Sequence, residues 1–461
     1  TELTGNLITS ADNINLAGLS LTGNGTIQTS GGDVDISGTV SGSGGNRNFT
    51  LNAGAGAVTL GDAIGGGNNI NNVSLTTSST IGDLPAITAG GDLTVDEGAA
   101  ITQAGGTALS VTGDTQLDAN GNSITLDNAN NDFTALAIVS ASSASIEDTN
   151  GITLNAASVT GNYILTAGGN VVDGAGNVGA GGTLDITTTG NIGALTTLIP
   201  QTGFAPLTTN AGSLDLTSGG IIAIQDSASP TLTNIDANNG GAGTALIEAS
   251  GALNASATTN IEATDSLGLV STGAATVTVP AGITVATLRI EADDLADSNG
   301  GDIDLNSTNT FLDSANNENI TLTSAGGWFD AVIDGALSVD NDGGALTLED
   351  HNNDTEAVSQ TSAGLIDITT STTLTINDDI TASGNSGVQL EGTSGNVSMA
   401  DGAVVNGDSG TVSITSGNNS EIGRVETTNA STAAVSIDAG GAVSDAGDTG
   451  GEDVDAVNGR L

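Results

Sequence analysis

Apolar positions recur along the chain in a three-residue unit of aliphatic, small polar and aliphatic residues. It appears as Ile14-Asn15-Leu16, Val34-Asp35-Ile36, Phe49-Thr50-Leu51, Val58-Thr59-Leu60, Val73-Ser74-Leu75 and Leu93-Thr94-Val95. Later copies include Leu184-Asp185-Ile186, Leu288-Arg289-Ile290, Val388-Gln389-Leu390, Val397-Ser398-Met399 and Val412-Ser413-Ile414. Alternation with period two and many β-branched residues predicts short strands with one buried face, the middle residue facing water. Between the units lie turns such as Gly31-Gly32-Asp33, Gly90-Gly91-Asp92 and Gly168-Gly169-Asn170. Gly, Asn and Asp tolerate the left-handed backbone that a tight corner needs. No stretch carries an apolar stripe of helical period, so the predicted class is all-β.

Spacing decides between a sandwich and a solenoid. Unit starts lie 15 apart (34 to 49, 58 to 73, 397 to 412) or 9 apart (49 to 58, 388 to 397), and paired steps give 23 or 24. A constant interval in the twenties is the signature of one coil of a right-handed parallel β-helix, a β-solenoid of roughly 24 residues per coil. Stacked about 4.8 Å apart, roughly 19 such coils would make a rod on the order of 90 Å long. We read residues 1–461 as one continuous solenoid. From about 190 to 245 the unit thins out and Pro200, Pro206 and Pro230 cluster, which predicts loop excursions with each proline in a loop or at a strand start.

Composition narrows what such a rod can do. There are 53 Asp plus Glu against four basic residues (Arg47, Arg289, Arg424 and Arg460), a formal charge of −49. That charge disfavours nucleic acid and anionic membrane surfaces. Acidity also suggests disorder, but only 12% of residues are charged while 37% are hydrophobic, more than acidic disordered chains carry. Aromatics at 2% and 69 glycines suit a thin aliphatic core repeated many times. With no cysteine there are no disulfides, thiolate metal sites or cysteine nucleophiles, and a single histidine, His351, forbids a two-imidazole site. No run approaches 18 apolar residues, so membrane insertion is not expected. The chain opens Thr-Glu-Leu-Thr, without an initiator Met or a signal-like segment, as expected of a trimmed protein or a piece of a longer one.

The style of repeat in Leu184-Asp185-Ile186-Thr187-Thr188-Thr189-Gly190-Asn191-Ile192 and Leu214-Asp215-Leu216-Thr217-Ser218-Gly219-Gly220-Ile221 resembles the secreted β-helical proteins of bacteria. It is shared by the filamentous-haemagglutinin-like and autotransporter-passenger families, and the similarity of style covers nearly the whole chain. The resemblance implies display at the bacterial cell surface or outside the cell, and adhesive or structural work. Two departures stand beside it: Asn-Pro, part of the secretion motif of two-partner-secreted adhesins, never occurs, and no autotransporter barrel is included.

The residues offer several candidate chemistries. Gly174, Gly176 and Gly179 spell G-x-G-x-x-G, but a dinucleotide site needs a helix next, and Gly181-Gly182-Thr183 with a strand follows. Paired carboxylates at Asp293-Asp294 and Asp378-Asp379 could serve a carbohydrate-active β-helix. That alternative lacks the Gly-His-Gly and Arg-x-Lys motifs of the hydrolases it would resemble, and offers few rings besides Trp328 and Tyr163. Trp328-Phe329 is expected to fill a core corner. An ice-binding face would need a regular Thr-x-Thr array, whereas the outward residue varies among Thr, Ser, Asp, Asn and Gln. Calcium is the one candidate cofactor, since hard cations take several oxygens. The candidate ligands are Asp293, Asp294, Asp297 and Asp302; Asp340 and Asp342; and Asp445, Asp448, Glu452, Asp453 and Asp455. The segment from Glu349 to Glu356 around His351 reads as a polar loop that could also hold a cation. Neither an EF-hand loop nor a G-G-x-G-x-D repeat is present, and stacked like charges in water repel by only about 0.9 kcal/mol. The fold is therefore expected to stand without metal.

The expected role is that of a non-enzymatic stalk, adhesin or filament subunit. Because neither terminus shows a capping helix, its partners are expected to be further repeats or a second copy stacked end to end. A host-surface or matrix glycan is the other partner this reading suggests.

Overall fold

The computed structural model describes residues 1–66, 70–198, 202–239, 243–262, 266–271, 277–278, 287–291, 303–304, 312–313, 318–319, 328–333, 337–341, 345–350, 356–360, 363–447 and 453–456. These residues form strands and turns, without a helix. The strands stack in parallel as a β-solenoid of about 16 turns, roughly 22 residues apart, a slightly shorter repeat than the 24 that spacing predicts. Two compact units are present: Thr1–Gly193 with Ala205–Gly219, and Ala194–Phe204 with Gly220–Leu461.

The second unit shows the coil most clearly. One coil consists of the strands Val388–Gly392, Val397–Met399 and Val404–Asn406; the next consists of Val412–Ser416, Ser420–Ile422 and Arg424–Thr427. Each strand pairs in parallel with its counterpart one coil on, as in Val388↔Val412, Val397↔Ser420 and Val405↔Val425. The nine-residue step is therefore the corner between the first and second faces. The fifteen-residue step runs from the second face, through the third, to the first face of the next coil. Register stacks like on like, with Leu390 over Ile368 and beneath Ile414, all buried. Aliphatic side chains from the faces meet in the middle, so each added coil buries its own apolar surface against its neighbours.

In the first unit the same stacking is less even. Val73, Leu93, Thr115, Leu136 and Leu154 occupy one column, separated by 20, 22, 21 and 18 residues. Phe49, Phe133 and Tyr163 are the bulkiest fully buried side chains among the described residues. Burial in this apolar interior pushes the Tyr163 hydroxyl well above its ordinary range.

Among the described residues between Gly190 and Ala245 there is a hairpin around the antiparallel Thr197↔Thr202 bridge, and strands Leu207–Ser218, Ile222–Asp226 and Thr231–Asp236 follow. Pro206 and Pro230 immediately precede two of these strands; Pro200 lies outside the described residues. Leu195 and Leu198 of the hairpin pack on Ala223, Leu246 and Val270, with Phe204 and Ile221 alongside. Gly268 allows this approach, because a Cβ there would come within 2.6 Å of Leu246 and 2.7 Å of Leu198.

The glycine-rich turns are tight for a steric reason. At Gly32 a Cβ would sit 2.3 Å from the Asp12 carbonyl oxygen, and at Gly56 one would sit 2.1 Å from that of Gly32, so successive corners stack backbone on backbone.

Candidate functional site

Two devices close the corners between coils. The first uses buried threonines. Thr77 donates its hydroxyl to the Gly56 carbonyl at 2.6 Å and accepts the Ser79 amide at 3.0 Å. Thr427 does the same with Gly410 (2.6 Å) and Asn429 (3.0 Å) in the second unit. The second device is a relay of turn Asn and Asp side chains, each accepting the backbone N–H of the next coil. Asn24 takes the Asn48 amide (3.1 Å), Asn48 that of Asn72 (3.3 Å), Asn72 that of Asp92 (3.1 Å) and Asp92 that of Asp114 (3.1 Å). Asn396 and Asn419 repeat it with the amides of Asn419 (3.1 Å) and Ala442 (2.9 Å). Turn Asn and Asp side chains therefore satisfy backbone donors that a corner would otherwise strand.

On the first unit these corners frame a groove of about 550 Å³. Its wall is one column of register partners, Asn52, Thr76 and Asp96. Gly54, Thr77, Ser78, Gly98 and Asn120, from the turns that follow, complete it. The column exists because parallel pairing places residues 20 to 24 apart in sequence on neighbouring coils. Asn52 Oδ1 is occupied by the Gly54 amide at 2.9 Å. Asn120 has a φ of +48° and is followed by Gly121 at +82°; this turn carries its Nδ2 back to Asp96 Oδ1 and the Glu97 carbonyl, both at 3.0 Å. The groove thus presents amide, hydroxyl and carboxylate groups in a row about 4.8 Å apart, with Asp96 as its one lining carboxylate and no ring. Such a surface can hydrogen-bond a hydroxyl-rich ligand.

Behind the groove stands Glu97, 1% exposed. Burial lifts its carboxyl to about 7, with the Ile81 amide pulling the other way. Asp148 is buried in the same unit and raised chiefly by burial, partly offset by the amides of Phe133 (2.7 Å) and Asn150 (3.1 Å); neighbouring Asp132 raises it further. Outward acids on neighbouring strands behave alike: Asp185 is raised by partial burial and then by Asp215, its register partner, and Asp367 by partial burial and then by Glu391. Asp379 is raised by partial burial and by Asp378, against the Val404 amide.

The calcium candidates fall apart by location. Asp293, Asp294, Asp297, Asp302, Asp342, Asp448 and Glu452 lie outside the described residues, as does His351. Asp340 lies on the strand Leu337–Asn341, and Trp328-Phe329 on the strand Trp328–Ile333. Asp445 is exposed and accepts the Gly447 amide at 2.8 Å. Asp453 accepts the Val425 amide through its carbonyl at 2.8 Å, and Asp455 stands in register with Glu426. Among the described residues no three carboxylate or imidazole groups come together as a metal cluster. The glycines at 174, 176 and 179 lead directly into the strand Val178–Thr188, which removes the helix a dinucleotide would need.

The relay and Glu97 are what sequence reasoning missed. Both left signals: the relay's acceptors recur 24, 24 and 20 residues apart, and Glu97 shares the parity of the inward Leu93 and Val95.

Fold and groove together define a repeat protein of the β-solenoid class. Residues 70–140, which carry most of the groove and Glu97, are similar to the family described as repeats of unknown function (DUF5649). Neither a curated protein nor a solved structure matches the chain.

Proposed function

We propose that this chain is a non-enzymatic, extracellular β-solenoid with a structural or adhesive role, a surface stalk or a filament-forming subunit. The observation that carries the reading is the coil-to-coil relay from Asn24 to Asp114, repeated at Asn396 and Asn419. It ties each turn to the next in the one direction in which a spacer bears load. The resemblance in repeat style to bacterial surface β-helices supports a location outside the cell. The reading requires no cofactor. It expects further repeats or a second copy along the coil axis, and a matrix or host-surface glycan at the polar groove. The carbohydrate-active alternative calls for a groove with paired carboxylates and rings, and is the weaker fit to a groove whose one carboxylate is Asp96. Net charge argues against nucleic acid, and no helix among the described residues is long and apolar enough to cross a membrane.

Electron microscopy of the purified chain tests the assembly: filaments or extended particles are expected, and compact particles that never join would overturn the filament form. Loss of a defined saccharide from purified chain incubated with it, measured by chromatography, would overturn the non-enzymatic reading. A melting temperature unchanged by excess chelator is expected if calcium plays no part.

A further inference from the structure

Glu97 closes a corner that a threonine closes one coil earlier, since Thr77 and Glu97 are register partners. Its side chain makes one hydrogen bond among the described residues, Oε2 accepting the Ile81 amide at 2.5 Å. Ile81 is itself buried and bridges to Val58 in the coil before. One carboxyl group therefore ties the strand Leu93–Glu97 to the segment that leaves Ser78.

Among the described residues no positive charge balances it. Of the cations with described side chains, Arg47 donates to the Ser43 and Gly44 carbonyls and Arg424 pairs with Glu426. The titratable groups on the elements around Glu97 are all acids. They are Asp83 on the Ile81 segment, bonded to the Thr102 hydroxyl; Asp96 on the same strand, bonded to Asn120; and, on the next coil's strand Leu109–Asp118, Asp114 and Asp118, the latter holding the Asn120 amide. A carboxyl in this setting is cheap to bury neutral and costly to bury charged.

We propose that Glu97 makes the corner from Ser78 to Leu84 an acid-tightened joint: neutral, it stays packed and holds Ile81; ionised, it is drawn toward water and loosens the groove's rim at Ser78 and Gly98. The sign follows from its raised proton affinity in the fold. The stabilisation is complete below the ordinary glutamate value of 4.5 and is lost as pH rises through about 7. This inference rests on the corner's geometry and is independent of the proposed function.

Hydrogen exchange of the amides of residues 78–84 in the full chain, corrected for the intrinsic pH dependence of exchange, is the test. Protection is expected to be about ten-fold higher at pH 5.5 than at pH 8. In E97Q, which keeps an acceptor but cannot ionise, the response is expected to flatten. In E97T, which installs the hydroxyl of the preceding corner, it is expected to flatten as well. A flat response in the unaltered chain, or an undiminished one in E97Q, would overturn the proposal. Should both variants fail to fold, a carbon-13 titration of the Glu97 carboxyl in the unaltered chain decides: a midpoint near 4.5 sinks it.

Discussion

The coils around residues 70–160 and those from 363 to 447 solve the same corner problem with different chemistry. In the later coils the polar groups turned inward are hydroxyls: Thr370, Ser416, Ser420 and Thr427. In the earlier coils an amide and two carboxyls stand among them: Glu97, Asn131 and Asp148. The difference tracks regularity. Successive partners on one face of the later coils, Leu374, Val397, Ser420 and Val443, are 23 residues apart each time; on the earlier column the steps run from 18 to 22. A corner of constant length is closed by a short hydroxyl at a fixed place. A corner that gains or loses residues leaves backbone donors at varying distances, and only longer side chains reach them.

The sharpest way to break this comparison is at Asn131. Its Oδ1 accepts from Gln103 Nε2 (2.7 Å) and the Leu109 amide (2.9 Å), and its Nδ2 donates to Gln103 Oε1 (3.1 Å) and the Leu126 carbonyl (3.2 Å). Asn131→Ala strands several buried groups at once, and we expect a loss of about 3 kcal/mol in urea unfolding. A loss below about 1 kcal/mol would mean that the irregular corners are no more demanding than the hydroxyl ones.

Thr115 tests the same region in the opposite direction. It stands in the apolar column between Leu93 and Leu136, and its hydroxyl is buried without a hydrogen-bond partner. Thr115→Val keeps the shape and removes the unpaired group, so a gain of about 1–2 kcal/mol is expected. A destabilised variant would show that the hydroxyl has a function beyond packing.

Much of this was legible in the sequence, and the illegible part has a physical cause. Two of the three faces carry paired inward aliphatics, as in Val388/Leu390 and Val397/Met399, and their spacing gives the solenoid and nearly its repeat. The third face buries a single aliphatic in each of Asp379–Thr381 and Val404–Asn406, so it shows no alternation and was invisible. Turn acids such as Asp92 read as solvated because a side-chain acceptor and an idle carboxylate look identical until the next coil is placed beside them. The groove was hidden for the same reason: Asn52, Thr76 and Asp96 become neighbours only through register.

A third prediction concerns pH. Asp148 is raised above the ordinary aspartate value, so its contribution to stability is fully present below that value and is lost as pH rises through the raised one. Asp148→Asn should remove this part of the pH dependence, seen as a smaller change in urea midpoint between pH 4 and 7 than in the unaltered chain. Equal changes would show that burial does not govern this carboxyl. In the later coils Ser420→Ala removes one half of the buried Ser416–Ser420 hydroxyl pair (2.9 Å). We expect it to cost about 1 kcal/mol with no pH dependence of its own.

The smallest effect is expected at an exposed ion pair of the later coils. Arg424 and Glu426 meet at 2.6 Å with side chains 46% and 29% exposed, and a pair this open is worth little once screening and side-chain entropy are counted. Glu426 also stands in register with Asp455 on the next coil. Removing its charge therefore gives up one attraction and relieves one weaker repulsion across the strand spacing of about 4.8 Å. Glu426→Gln should shift unfolding by less than about 0.5 kcal/mol, and less still in 1 M salt. Arg424→Gln leaves Glu426 facing Asp455 without a counter-charge, so it should be the more damaging of the two at low salt and the more strongly rescued by salt. If Glu426→Gln cost as much as Asn131→Ala, exposed charge would be holding the regular coils together as firmly as buried amides hold the irregular ones, and the contrast between the two regions would fail.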